Sequence, residues 1–142
     1  MREILFKAKR IDNGKWVEGY YAECNGKTFI GIDISIGIDD IFEVFCTSVI
    51  RWLEVDPETL CQFTGETDKN GKRIWESDVV WLVYDGKEHI YQIVWDNSEL
   101  DFKATNGEEN YGSNFEYLLC CDEIEVIGNI FDNPELLQEE HK

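Results

Sequence analysis

Five turn signals divide this 142-residue chain into short segments that suit antiparallel strands. Asn or Asp followed by Gly favours a two-residue type I′ hairpin turn, because both residues accept positive φ and the turn matches the twist of its flanking strands. The segments beside these pairs, such as "DVVWLVY" and "KEHIYQIVW", are rich in β-branched and aromatic residues. We therefore predict a hairpin at each pair. The pairs are Asn13-Gly14, Asn25-Gly26, Asn70-Gly71, Asp85-Gly86 and Asn106-Gly107.

The close spacing of these turns predicts a mainly β fold. We expect antiparallel hairpins or a meander that forms a barrel-like or two-sheet domain with a few short helices. The length suits a single domain over residues 1–142, with residues 138–142 as a frayed C-terminal tail. Helix signals are brief: two acid or amide caps that precede Pro, and a Ser113–Glu116 pair with capping-box spacing. The short helices are expected near Pro57, Asn114 and Pro134.

The charge of the chain limits the partners that it can have. Thirty Asp and Glu against thirteen Lys and Arg give a formal net charge of -17. This charge repels nucleic-acid phosphates and anionic membrane surfaces, so direct nucleic-acid binding is not expected. No apolar run reaches the roughly 20 residues of a membrane span, and the charged start "MREILFKAKR" differs from a signal peptide. We expect a cytoplasmic protein without a membrane partner.

One acidic stretch, "TGETDKNGKRIWESDVV", places four carboxylates around an Asn-Gly pair. An ion-binding loop, a catalytic cluster and a plain hairpin are the three alternatives. A calcium loop of the EF-hand type needs Gly at its sixth position, whereas Gly71 is fourth when counted from Asp68. Four neighbouring acids also form too many pairs to single out a hydrolytic one. We interpret the stretch as a solvated hairpin turn.

No residue pattern identifies a catalytic, cofactor or metal site. The five Cys are an odd set without zinc-knuckle spacing, so we predict reduced thiols and no bound metal. Neither a Gly-rich phosphate loop nor a dinucleotide fingerprint occurs, so no cofactor is predicted. His89 lies in a predicted strand and is interpreted as a cross-strand partner rather than a base. The aromatic residues expected in the core are Trp75, Trp81, Tyr84, Tyr91 and Trp95.

Several carboxylates are candidates for an acidic recognition face. In "FIGIDISIGI" the Ile residues alternate with other types, which places Asp33 and Asp39 opposite the Ile side of a strand. The alternative is an acidic surface that only keeps the protein soluble. The candidate interaction face is Asp33, Asp39, Asp40, Glu43, Glu108 and Glu109.

Three stretches, "MREILFKAKRIDNGKWVEGYY", "DPETLCQFTGETDKNGKRIWESDVV" and "EVIGNIFDNPELL", together resemble the YopX family of phage and prophage proteins. The stretches occur in the family's order between Met1 and Leu137. The resemblance implies a phage-encoded, non-secreted, β-rich domain with barrel character, and it carries over no catalytic residue. Glu66 stands where an apolar residue is usual in the family, and Ser77 where Gly is usual. The backbone at Ser77 is therefore either ordinary β or locally strained.

These observations leave three hypotheses of function. The first is an accessory module that binds another protein through an acidic face. The second is an acidic mimic of DNA that occupies the basic cleft of a nucleic-acid-binding protein. The third, with the least support, is a hydrolase that uses paired carboxylates. We also expect self-association, because an exposed strand at a sheet edge can pair with its copy.

Overall fold

A computed structural model describes residues 4–33, 50–107 and 115–140. The chain divides into two compact units, Met1–Gln62 (unit 1) and Phe63–Lys142 (unit 2). The expectation of one domain over residues 1–142 stays a prediction. The described residues are mainly strands, and these pair antiparallel throughout, which confirms the predicted fold class.

The strands form two sheets, so the two-sheet alternative is confirmed. The sheet orders are β4-β3-β2-β1-β5-β6 and β10-β9-β8-β7-β11, and no pairing among the described strands closes either sheet into a barrel. The strands are β1 (Phe6–Lys9), β2 (Trp16–Cys24), β3 (Lys27–Asp33), β4 (Ile50–Val55), β5 (Cys61–Thr67), β6 (Arg73–Trp75), β7 (Asp78–Tyr84), β8 (Lys87–Asp96), β9 (Asp101–Thr105), β10 (Phe115–Tyr117) and β11 (Glu123–Asn129).

Unit 1 is a strongly curled sheet around a small core. Ala8, Ile30 and Val55 are fully buried in it. A single bridge between Arg10 and Val55 brings the end of β1 to the end of β4, and the Asp56 N–H donates to the Lys9 carbonyl at 2.8 Å. The barrel character that the sequence suggested is limited to this curl.

Two of the five predicted turns have the expected backbone. Asn25-Gly26 joins β2 to β3 and Asp85-Gly86 joins β7 to β8, and all four residues have positive φ. At Asn13-Gly14 and Asn70-Gly71 only the Gly has positive φ, so the two-residue type I′ turn is wrong there. Longer loops with their own backbone hydrogen bonds form instead. At Asn106-Gly107 too only the Gly has positive φ, so the type I′ turn is wrong there as well, and the chain then enters residues 108–114, which lie outside the described residues.

Two of the three predicted helical pieces form. A 3₁₀ turn covers Pro57–Thr59, and the Asp56 carboxylate caps it by accepting from the Glu58 N–H at 3.0 Å. Helix α1 (Glu135–Glu140) follows Pro134, so the first three residues of the predicted tail are helical. The helix near Asn114 is wrong, because Phe115–Tyr117 pairs with β9 as strand β10 and a 3₁₀ turn at Leu118–Cys120 follows it. The pairing of β10 with β9 therefore outweighs the helix preference that the capping-box spacing indicated.

Unit 2 has the larger core. Its buried side chains come from β6 to β9, and α1 packs against β8. Trp75 and Tyr91 are buried as predicted, whereas Tyr84 and Trp95 are exposed, which corrects the expectation that both belong to the core. No helix within the described ranges is both long and apolar enough to cross a membrane. The buried core residues are Ile74, Val80, Leu82, Tyr91, Ile93, Phe102 and Ala104.

Candidate functional site

The acidic stretch from Thr64 to Val80 contains a buried carboxylate whose hydrogen bonds fix the turn. Asp68 is only 6% exposed, and its Oδ1 accepts from the N–H groups of Asn70 and Lys72, each at 2.9 Å. Its Oδ2 accepts from the Val126 N–H at 3.0 Å. Burial raises the pKa of Asp68, but these three hydrogen bonds outweigh it and the pKa is lowered. The prediction of a fully solvated turn is therefore wrong at Asp68.

The same turn covers the outer edge of β11. The Lys69 N–H donates to the Ile124 carbonyl at 3.0 Å, and the Lys69 ammonium pairs with the Glu125 carboxylate at 3.3 Å. A covered edge cannot template pairing with another chain. A second acid of the stretch, Asp78, is also buried and accepts from the Trp75 N–H at 2.8 Å. These contacts give the stretch a structural role.

The sequence predicts that the backbone at Ser77 is either ordinary β or locally strained. Its φ is 73°, in the left-handed region, so the strained alternative holds. Its N–H donates to the Ile93 carbonyl at 2.8 Å, and its carbonyl accepts from the Ile130 N–H at 3.0 Å. The surrounding backbone therefore fixes a conformation that Gly would adopt without strain.

A buried lysine network is a feature that the sequence did not suggest. The Lys103 side chain is 0% exposed, and its Nζ lies 2.8 Å from both Asp96 Oδ2 and Glu99 Oε1. Tyr117 donates its hydroxyl to Glu99 Oε2 at 2.6 Å. Burial alone would lower the pKa of Lys103, but the two carboxylates have the larger effect. The pKa is therefore raised above its ordinary value, and the ammonium stays charged. Hydrogen bonds to Lys103 lower the pKa of both acids. The set combines one ammonium with two carboxylates and braces the β8–β9 hairpin.

His89, the Glu116 carboxyl and the Cys121 thiol lie on the core side of the second sheet. His89 is opposite Leu82 on β7 and stacks on Tyr91 at 4.8 Å between ring centroids. Glu116 is 8% exposed; burial raises its pKa, and the charge of His89 partly offsets this. Burial also raises the pKa of the Cys121 thiol to about 12. A thiol that stays protonated is a poor nucleophile and a poor metal ligand.

The predicted acidic face stays a prediction, because most of its residues lie outside the described ranges. Within residues 4–33, 50–107 and 115–140, no three His, Cys, Asp or Glu side chains are placed to hold a metal. Asp33 is exposed at the end of β3. Asp39, Asp40, Glu43, Glu108 and Glu109 lie outside the described residues.

The charge itself is unevenly divided along the sequence. Unit 1 has 11 acidic and 7 basic residues, a formal charge of -4, whereas unit 2 has 19 acidic and 6 basic residues, a formal charge of -13. Most of the excess acid therefore belongs to unit 2. Four members of the predicted face belong to unit 1 and two to unit 2.

An exposed aromatic surface on unit 1 is the most distinctive candidate site. Tyr20 is 52% and Trp52 47% exposed, and both lie opposite Gly31, on β2 and β4. Residues directly opposite on paired strands point to the same side of a sheet. The adjacent row continues this side with the apolar Ala22 and Phe29 on β2 and β3 and with Glu54 on β4. We call Tyr20, Ala22, Cys24, Phe29 and Trp52 the aromatic face.

Gly31 shapes this face. A Cβ on Gly31 would lie 2.8 Å from Trp52 Cζ3 and 2.7 Å from Ile50 Cγ2. The indole therefore lies across the β3 backbone, which is a position that any larger residue would block. The opposite side of the same strands contains the core residues Ile30 and Val55.

A recess of about 260 Å³ opens in the aromatic face. Ala22, Cys24, Phe29 and Trp52 line it, so its walls are almost entirely apolar. Exposed apolar recesses of this kind are typical of binding surfaces. Tyr20 and Trp52 are not assigned a role from the sequence, where the aromatic residues expected in the core all lie in the second half of the chain, and they come together only when β2, β3 and β4 are paired.

Comparison with known proteins places the chain in a family. The family model described as YopX protein matches residues 5–138. The chain belongs to the YopX family. The crystal structure of protein EF1440 from Enterococcus faecalis is similar over 96% of this chain and 99% of that chain, with 22% sequence identity and a TM-score of 0.55. This likeness supports the fold. No curated protein matches the chain.

Proposed function

We propose that this YopX protein is an accessory protein of a phage or prophage that acts by binding another protein. The aromatic face of unit 1 is the proposed docking surface. The observation that supports it is the pair of half-exposed rings, Tyr20 and Trp52, beside an apolar recess. Aromatic side chains at such positions contribute much of the binding energy in protein interfaces, because they bury a large area with few rotatable bonds.

The proposal is tested by capture from host-cell lysate with tagged wild-type protein and single variants. Trp52→Ala and Tyr20→Ala should each reduce the captured partner at least tenfold, since loss of an interface hot spot costs about 2 kcal/mol or more. Tyr84→Ala is the matched control, because Tyr84 is 39% exposed but belongs to unit 2. Unchanged capture by Trp52→Ala would remove the aromatic face as the docking surface.

An acidic mimic of DNA is the second candidate. The observation that favours it is the formal charge of -13 on unit 2. Salt separates the two candidates, because an electrostatic contact weakens as the Debye length falls from about 10 Å at 0.1 M to about 3 Å at 1 M. A partner that is captured through the aromatic face should remain bound at 0.5 M salt, whereas a partner of an acidic mimic should dissociate. In that case Glu108→Lys and Glu109→Lys, the members of the predicted face in unit 2, are the next variants to test, and Asp39, Asp40 and Glu43 of unit 1, each changed to Lys, are the comparison.

A further inference from the structure

We propose that the recess in the aromatic face receives one aromatic or long aliphatic side chain of the partner protein, and that a Lys or Arg of the partner lies beside it. This inference rests on the proposed function and specifies the chemistry of the partner. It concerns an extended partner segment whose apolar anchor and basic residue point to the same side.

The size of the recess sets the size of the anchor. A closed apolar cavity of about 150 Å³ is enough to hold benzene. The recess has a volume of about 260 Å³ and is open to solvent on one side, so it accommodates a ring or a long aliphatic chain that enters from outside. Its four lining residues offer no charged group to a buried polar atom, which makes an apolar anchor the suitable occupant.

The charged residues near the recess favour a basic neighbour. Glu54 lies on β4 directly opposite Phe29, and the ion pairs of the described residues do not include it, while Arg10 lines a second pocket with it. Directly opposite residues on paired strands have Cβ atoms about 5 Å apart, so this carboxylate lies beside the recess. Lys27 lies opposite Cys24, so its ammonium flanks the recess at the β2–β3 turn, on the side away from β4. A cation on the β4 side of the recess therefore meets Glu54.

The net charge of the chain separates a basic partner from a second copy. A formal charge of -17 attracts a basic segment at long range and repels another molecule of the same chain. The proposed occupant is consequently a different protein. In an extended segment, residues two apart point to the same side, so the anchor and the basic residue are expected at positions i and i+2.

Short peptides test the chemistry on the intact 142-residue protein. The probes are acetyl-Lys-Gly-Trp-amide, acetyl-Glu-Gly-Trp-amide and acetyl-Lys-Gly-Gly-amide, each titrated against ¹⁵N-labelled protein. The signals to follow are the Trp52 indole N–H and the backbone amides of Ala22 and Phe29. The Lys-Gly-Trp peptide should shift these signals with a Kd at least fivefold lower than that of the Glu-Gly-Trp peptide. The Lys-Gly-Gly peptide should produce no saturable shift.

Two variants locate the binding. Glu54→Gln should reduce the preference for the Lys peptide to less than twofold and leave binding of the Trp anchor intact. Ala22→Leu fills the recess and should abolish binding of both Trp peptides; a dispersed amide spectrum shows whether this variant folds. If Ala22→Leu does not fold, the Glu54→Gln result alone decides the basic preference.

Four results would overturn the inference. They are equal affinity for the two Trp peptides, saturable shifts near Tyr84 or Trp95 instead of Trp52, shifts that depend on protein concentration alone, and contacts of Trp52 with residues 34–49 of its own chain. The proposed function is judged separately. Loss of lysate capture by Trp52→Ala with equal peptide affinities would leave the proposed function standing and reject this inference.

Discussion

Among the described residues, unit 2 buries aromatic side chains and unit 1 buries none, while both units also expose some. Unit 1 leaves Tyr20 and Trp52 half-exposed on one side of a curled sheet. Unit 2 buries Trp75 and Tyr91 and also buries polar groups, among them Asp68, whose hydrogen bonds fix a turn. The difference suggests a division of labour in which unit 2 uses polar groups to fix its own fold and unit 1 presents apolar surface outward.

The largest effect is expected where backbone approaches backbone in unit 1. A Cβ on Gly19 would clash with the carbonyl oxygen of Gly31, and backbone cannot swing aside as a side chain does. Gly19→Ala should lower the free energy of unfolding by about 3 kcal/mol or more, which is the upper range for overpacking. Urea unfolding followed by tryptophan fluorescence measures this.

Gly14→Ala is the control for Gly19→Ala. Gly14 has φ of 70° and open space where a Cβ would lie, so only the left-handed penalty of about 1–2 kcal/mol applies. Hydrogen exchange should show lost protection in β2 and β3 for Gly19→Ala alone. Equal destabilisation by the two variants would mean that the close approach in unit 1 does not limit its stability.

The next effect concerns the carboxylate that fixes the acidic turn in unit 2. Asp68→Ala leaves three part-buried backbone N–H groups without their acceptor, and we expect a loss of about 2 kcal/mol. Glu66→Ala, in the same segment, should stay within about 0.5 kcal/mol of wild type. If both variants are equally stable, the turn is held by other contacts than those of Asp68.

Asp68 also predicts a response to acid. Its pKa in the folded protein is lowered from the ordinary 3.8, so the stability that it contributes is present above that value and is lost as pH falls through the lowered pKa. The difference in unfolding free energy between wild type and Asp68→Ala should therefore shrink below pH 3.8. A difference that stays constant down to that range would indicate that Asp68 acts through packing and not through its charge.

The sequence predicted features that depend on neighbouring residues and missed those that depend on distant ones. The turns at Asn25-Gly26 and Asp85-Gly86 follow from two adjacent residues, and both formed. Burial of Asp68 depends on Val126, which is 58 positions away, so no local pattern could indicate it. The aromatic face likewise requires β2, β3 and β4 to be paired in register before Tyr20 and Trp52 meet over Gly31.

A buried acid in unit 2 predicts the opposite response to pH. The pKa of Glu116 is raised above its ordinary 4.5, chiefly by burial, so the stability associated with its neutral form is present below 4.5 and is lost as pH rises through the raised pKa. Glu116→Gln keeps the shape and cannot ionise. Its unfolding free energy relative to wild type should rise as pH increases above 4.5, by less than the loss from Asp68→Ala.

The matched control for Glu116→Gln is Glu123→Gln, because Glu123 is an exposed strand acid of the same unit. Because its side chain is exposed, Glu123→Gln should leave the unfolding free energy within about 0.5 kcal/mol of wild type. His89→Gln removes the positive charge that opposes the raised pKa of Glu116. The unfolding free energy of this variant should therefore fall more steeply with rising pH than that of wild type. A flat profile for Glu116→Gln would show that the carboxyl of Glu116 reaches solvent.

The smallest effect on stability is expected at Ser77. Unit 1 has Gly where the backbone leaves no room for a side chain, whereas unit 2 has a residue other than Gly at a position with positive φ. Ser77 has φ of 73°, and a Cβ makes this conformation costly by about 1–2 kcal/mol, whereas Gly adopts it freely but loses more entropy on folding. Ser77→Gly should therefore raise the free energy of unfolding by about 0.5–1 kcal/mol. Ser77→Ala keeps the Cβ and the strain, so its stability should equal that of wild type within about 0.5 kcal/mol. Urea midpoints at constant slope distinguish these outcomes. If Ser77→Gly is destabilised, the hydroxyl or the Cβ of Ser77 makes a contact that outweighs the strain, and the residue is held there for that contact.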